Sequence, residues 1–133
     1  MTAPGIRPHL TVRDASAALE FYQKAFGATL TEHPISRTPD GSRIMHAIVC
    51  IDGSLLMFND EFPEYGAMSP AEGARLPFVL HLDVPDVDAA TGRAVAAGAT
   101  VTMPPKDQFW GARYAQVTDP FGYTWSFGGP KKG

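Results

Sequence analysis

The chain has 133 residues, 44% of them hydrophobic, which is enough for a buried core and too apolar for a disordered segment. Eleven basic residues stand against 14 acidic ones, a net charge of −3, and this argues against a nucleic-acid partner because such binders carry a basic face. No run of about 18 apolar residues is present to span a membrane, Met1-Thr2-Ala3-Pro4 lacks the pattern of a secretion signal, and Cys50 is the only cysteine; the expectation is a reduced, cytoplasmic protein with no disulfide.

In chain order, the first predicted strand is Pro8-His9-Leu10-Thr11-Val12, which alternates in the period of a half-buried strand. Asp14 follows, placed to cap a helix. That helix runs over Ala15–Phe26, with Ala18, Phe21, Tyr22 and Ala25 as its apolar stripe, and stops at Gly27. A short strand, Gly27-Ala28-Thr29-Leu30, comes next. Ile44–Ile51 and Ser54–Asn59 form a predicted hairpin about the turn Asp52-Gly53. Asp60–Pro77, rich in Pro, Gly and Glu, reads as a linker long enough to form part of a site.

The pattern then recurs. His9, Leu10, Val12 and Asp14 return as His81, Leu82, Val84 and Asp86, 72 positions later. A helix over Val87–Ala97 stops at Gly98, and Gly98-Ala99-Thr100-Val101 matches the strand that opens at Gly27, now 71 positions on. The second hairpin pairs Arg113–Thr118 with Tyr123–Gly128 across Asp119-Pro120-Phe121-Gly122. Phe109 and Trp110 fall in a loop with Pro104, Pro105 and Gly111. The tail, Gly129–Gly133, carries two lysines on an end expected to fray.

The fold class is therefore α+β: two β-α-β-β-β repeats with curved mixed sheets enclosing a cavity and helices outside. A single domain spans 1–133, with repeat 1 at about 5–60, a linker at about 61–76 and repeat 2 at about 77–129. Each half alone is of marginal size, so the sheets should pack together or pair with another chain, which favours a homodimer.

The apolar sets Leu10 and Val12, and Leu82 and Val84, should face the helices. Alternation then turns Arg7, His9 and Thr11 inward, and Val79, His81 and Asp83 likewise, so that two histidines meet one cavity. In the hairpins, Leu56, Phe58, Trp125 and Phe127 face the helices. Leu55, Met57, Asn59, Thr124 and Ser126 face inward.

The strand-Asp-helix opening with Phe21-Tyr22 and Phe26-Gly27, and the close Asp119-Pro120-Phe121-Gly122-Tyr123, resemble the vicinal-oxygen-chelate superfamily of glyoxalase I, bleomycin-resistance proteins and extradiol dioxygenases. Asp107–Tyr114 and Asp60-Glu61-Phe62-Pro63 are similar to its PhnB-like branch. The resemblance implies four metal-ligand positions, held here by Arg7, Met57, Val79 and Ser126. None is a usual ligand for a hard or borderline ion, so neither a standard metal site nor a cofactor is expected. The alternative is a displaced site, with His9 and His81 joined by His46 or Asp83, serving a lyase, isomerase or dioxygenase.

Other chemistry has less support. Cys50 reads as inert core, no Gly-rich phosphate loop is present, and no Ser-His-Asp order has supporting context. No catalytic residue is assigned. The expected function is metal-free binding of a small planar aromatic molecule. Its pocket would be lined by His9, Thr11, His46, Leu55, Met57, Asn59, His81, Phe109, Trp110 and Ser126. Bleomycin-resistance proteins sequester a drug without chemistry, and by that resemblance the ligand is an antibiotic chromophore.

Overall fold

A computed structural model describes residues 5–133, so Met1–Pro4, where a leader was sought, lie outside the described residues. Two β-α-β-β-β repeats are present. The first runs β1 (His9–Val12), α1 (Ala15–Phe26), β2 (Thr29–Leu30), β3 (Ser36–Arg37), β4 (Ile44–Ile51) and β5 (Ser54–Asp60). The second runs β6 (Leu80–Asp83), α2 (Val87–Ala97), β7 (Thr100–Asp107), β8 (Arg113–Thr118) and β9 (Thr124–Gly129). The chain divides into two compact units. One holds the residues up to Gln23 with Gly27–Ser69, and the other holds Lys24–Phe26 with Pro70–Gly133.

In the first unit the strand order is β1-β5-β4-β2, with β3 added on β4. In the second it is β6-β9-β8-β7, the same order. In each, the first strand pairs in parallel with the last, and the remaining pairs are antiparallel. Both sheets are thus mixed, and neither closes into a barrel.

The helices start and stop for the expected reasons. Asp14 Oδ1 accepts the Ala17 N–H at 3.0 Å, and Asp86 Oδ1 accepts that of Ala89 at 3.1 Å. Gly27 adopts φ 69°, which lets its N–H and that of Ala28 reach back to Gln23 and Tyr22. The Asp52-Gly53 turn takes φ 50° and 84°, the left-handed pair that a tight two-residue hairpin needs.

Leu10, Val12, Leu56 and Phe58 form the helix-facing core of the first sheet, and all are buried. The Phe58 ring lies 5.3 Å from that of Tyr22 on α1. Removing an aromatic ring as buried as Phe58 costs about 3–5 kcal/mol. On the second sheet Ala115, Val117, Trp125 and Phe127 face α2, whose small side chains Ala94 and Thr91 let it approach closely. Phe26 in the last turn of α1 lies 4.2 Å, centroid to centroid, from Trp125.

Two carboxylates hold loops by their backbone. Asp60 Oδ1 accepts the Ala15 N–H and Oδ2 the Ile44 N–H, both at 2.7 Å, joining the start of α1 to the start of β4. Asp119 Oδ1 accepts the N–H groups of Phe121 and Tyr123, and Oδ2 accepts the Trp125 indole N–H at 2.9 Å. Burial pushes the Asp119 carboxyl above its ordinary value, against the pull of those donors.

Several expectations need correction. Pro104 and Pro105 are not loop residues: β7 runs on to Asp107 as an edge strand, and both prolines fall in the register shift between Met103 and Lys106, where the ladder to β8 is interrupted. The loop holding Phe109 and Trp110 is correspondingly short. Strand β3 was not anticipated. The linker is partly folded, with a 3-10 turn at Pro63–Tyr65, a bridge between Phe62 and Ala67, and a Ser69 hydroxyl donating to Glu61. Val84 follows β6 and borders a cleft. The tail is tied down: Lys132 N–H donates to Asp107 and its Nζ lies 3.3 Å from Asp88. Arg113 grips both acids, Asp88 through two bonds of 2.9 and 3.1 Å and Asp107 through one of 3.1 Å. No helix among the described residues is long and apolar enough to cross a membrane.

Candidate functional site

In the first unit, β1 and β5 run in register, with His9 opposite Met57 and Thr11 opposite Asn59. Across β4, Met57 faces Ile48 and Leu55 faces Cys50. His9, Thr11, Met57, Asn59, Leu55 and His46 therefore share the face away from α1, as alternation predicts. Half-buried Cys50 shares it too, and so is not helix-facing core.

Asn59 organises this face. Its Nδ2 donates to the Asp60 carbonyl at 2.7 Å, which leaves Oδ1 as the acceptor for His9 Nε2–H, also at 2.7 Å. His46 lies edge-on to His9, with centroids 6.2 Å apart. Partial burial, and the positive charge His9 and His33 would carry, hold the His46 imidazole below its ordinary value.

In the second unit, parallel pairing sets His81 opposite Ser126 and Asp83 opposite Gly128. His81 thus occupies the place in its sheet that His9 occupies in the first: Met57 and Ser126 both stand four residues beyond their hairpin glycines. The local chemistry differs. His81 Nδ1 lies 2.7 Å from Ser126 Oγ, and Nε2 lies 3.1 Å from Asp83 Oδ1. A carboxylate only accepts, so Nε2 carries the proton, and in the neutral ring Nδ1 accepts a hydrogen bond from the Ser126 O–H.

Sequence reasoning missed this Ser126-His81-Asp83 chain, because cross-strand register brings residue 126 to residue 81. The burial is inverted relative to a nucleophilic triad. Ser126 is 1% exposed and beyond the reach of a substrate, whereas the Asp83 side chain stands in solvent. What the chain does is fix the imidazole plane. Gly128 allows this, since a Cβ there would lie 2.8 Å from His81 Cε1.

The fixed ring borders an open cleft of about 520 Å³, lined by His81, Asp83, Trp110, Tyr114 and Gly128 among others. Tyr114 lies nearly parallel to His81, at 12°, with centroids 6.2 Å apart. Gln116 Nε2 donates to the Tyr114 hydroxyl at 2.9 Å and holds that ring. Trp110 stands edge-on to Tyr114 at 5.9 Å, and Phe109 edge-on to Trp110 at 5.2 Å. Phe109 is 95% exposed and Trp110 55% exposed. Such large apolar rings left in water mark a surface that something else can cover.

A metal does not fit these donors. Arg7, Met57, Val79 and Ser126 supply no carboxylate or imidazole. Both His81 nitrogens are engaged, and His9 Nε2 is held by Asn59. Among the described residues no group of three or more His, Cys, Asp or Glu side chains is placed to hold an ion.

Comparison with known proteins agrees with the topology. The chain is 44% identical over 132 residues to the uncharacterized proteins Mb0911c of Mycobacterium bovis and Rv0887c of Mycobacterium tuberculosis, covering 96% of this chain and 84% and 75% of theirs. Among solved structures, PA1353 from Pseudomonas aeruginosa is 28% identical with a TM-score of 0.71, over 96% of this chain and 98% of that one. TioX from Micromonospora sp. ML1 is 26% identical with a TM-score of 0.68, over 97% and 100%. A PhnB protein from Bacillus cereus, 17% identical with a TM-score of 0.71 over 93% and 98%, shares the fold. The model of the Glyoxalase/Bleomycin resistance protein/Dioxygenase superfamily matches residues 6–127, and the chain belongs to that superfamily.

Proposed function

We propose that this protein binds a small planar aromatic molecule, without a metal and without chemistry, as a sequestering protein does. The observation that carries the reading is the aromatic cleft of the second unit: a fixed imidazole, a fixed phenol and an exposed indole around about 520 Å³. That volume lies within the range of small-molecule sites. A flat heteroaromatic ring would stack on Trp110 or Tyr114 and pack against the edge of the His81 ring. Within the superfamily, bleomycin-resistance proteins offer the nearest parallel, and the ligand class is an antibiotic chromophore such as a bithiazole or quinoxaline ring. His9, Thr11, His46, Leu55, Met57 and Asn59 are proposed as further binding residues on the first sheet. Ser126 acts through His81.

Tryptophan fluorescence tests this directly, because Trp125 is 3% exposed and serves as an internal reference for Trp110. Stacking contributes about 1 kcal/mol, and covering roughly 50 Å² of indole adds about 1 kcal/mol. Trp110→Ala should therefore weaken binding by more than about tenfold while leaving the fold intact. Equal affinity in wild type and variant would remove Trp110 from the site.

A further inference from the structure

The second unit contains another cavity that the aromatic cleft does not use. It measures about 390 Å³ and lies between the linker residues Arg75, Leu76 and Phe78 and the sheet residues Met103, Gln116 and Thr118. Thr102 and Thr124 also line it, and Thr124 stands opposite Thr118 across the β8–β9 pair. Its lining includes one cation and no carboxylate. Arg75 makes no hydrogen bond, ion pair or ring contact with any described residue. By contrast Arg113, on β8 of the same sheet, is engaged by two aspartates. The side-chain hydroxyls of Thr102, Thr118 and Thr124 likewise have no partner among the described residues.

We infer that this cavity is a site for a small organic monocarboxylate with an apolar body. A guanidinium presents a planar pair of donors that matches a carboxylate bidentately. The threonine hydroxyls can donate to the same oxygens, and Leu76, Phe78 and Met103 offer apolar contact to the body of the ligand. A single positive charge balances a monoanion and leaves a phosphate dianion half-compensated, so the geometry favours carboxylate. Gln116 lines this cavity and fixes Tyr114 of the aromatic cleft, so the two sites share one support but no ligand contact is common to both. The inference stands whether or not the cleft binds an aromatic drug.

The test is a titration of ¹⁵N-labelled protein with sodium phenylacetate, phenylacetamide and sodium phosphate, followed by amide shifts. Phenylacetate should produce saturable shifts at Arg75, Thr102, Thr118 and Thr124, and phenylacetamide should bind at least tenfold more weakly. Arg75→Gln should weaken phenylacetate at least tenfold, with Arg75→Lys intermediate. Arg75 is exposed and has no partner among the described residues, so neither change threatens folding, and Trp110→Ala should leave this affinity unchanged. Equal binding of acid and amide, phosphate binding as tight as phenylacetate, shifts confined to other residues, or an Arg75→Gln protein with undiminished affinity would each overturn the inference.

Discussion

Replacing Gly128 with alanine should disturb His81 without straining the backbone. Gly128 lies in β9 with no positive φ, so alanine fits its conformation. The new Cβ, however, would stand 2.8 Å from His81 Cε1 and 3.0 Å from Nε2. The ring is the far end of a movable side chain, so it will lift rather than force the sheet apart. Lifting breaks the 2.7 Å bond to Ser126 and the 3.1 Å bond to Asp83. The Asp83 bond is exposed and contributes little. The Ser126 hydroxyl is buried, and leaving it without a partner costs about 1–3 kcal/mol. Removing a strand glycine returns about 0.5–1 kcal/mol. The net loss is about 1–2 kcal/mol, or a Tm lower by roughly 3–8 °C for a chain of this size. Thermal unfolding of Gly128→Ala, Ser126→Ala and the double variant isolates the cause. Without the hydroxyl the glycine change should cost about 1 kcal/mol less, a measurable coupling. Strictly additive losses, or an unchanged Tm for Gly128→Ala, would refute the claim that Gly128 exists to seat His81 on Ser126.

Other outcomes are expected. Asp60→Ala leaves the buried N–H groups of Ala15 and Ile44 without acceptors and should lower urea-unfolding stability by about 2–4 kcal/mol. Asp88 is held below its ordinary value chiefly by the Arg113 hydrogen bonds, so its contribution is present above the unfolded-state value near 3.8 and lost as pH falls through the lower folded value. Arg113→Ala should flatten that acid limb in a series of unfolding curves. His46, held down by partial burial first and by His9 and His33 next, should titrate below 6.5 by NMR. Its contribution to stability is present above 6.5 and lost as pH falls through the lower folded value, and His9→Gln should move the midpoint upward. Light scattering should give twice 14.3 kDa if the protein assembles as the proposed homodimer, and 14.3 kDa would count against it.

Features that depend on neighbours in sequence were legible. The caps at Asp14 and Asp86, the stops at Gly27 and Gly98, and the Asp52-Gly53 turn each follow from one residue type meeting a local backbone demand. The 72-residue repeat then set His9 and His81 on matching faces, since alternation carries a side chain's direction along a strand. What escaped was set by pairing. The Ser126-His81 and His9-Asn59 bonds span 45 and 50 residues, and no local pattern specifies them. Two prolines suggest a loop where β7 in fact continues. An edge strand tolerates them, and edge position is a property of the whole sheet. Asp60 likewise reads as the first linker residue, while its oxygens reach N–H groups at the starts of α1 and β4; Asp119 reads as a turn residue, and beyond its own turn it holds the Trp125 indole on β9.

The proposed ligand site of His81, Tyr114 and Trp110 needs no metal. The most direct measurement is an NMR titration of the aromatic-labelled protein with a quinoxaline or bithiazole compound, in buffer containing a chelator. The ring resonances of Trp110, Tyr114 and His81 should shift together and saturate at one ligand per chain, with Trp125 little affected. No saturable shift for any such compound, or shifts that arise only after a divalent metal is added, would contradict it.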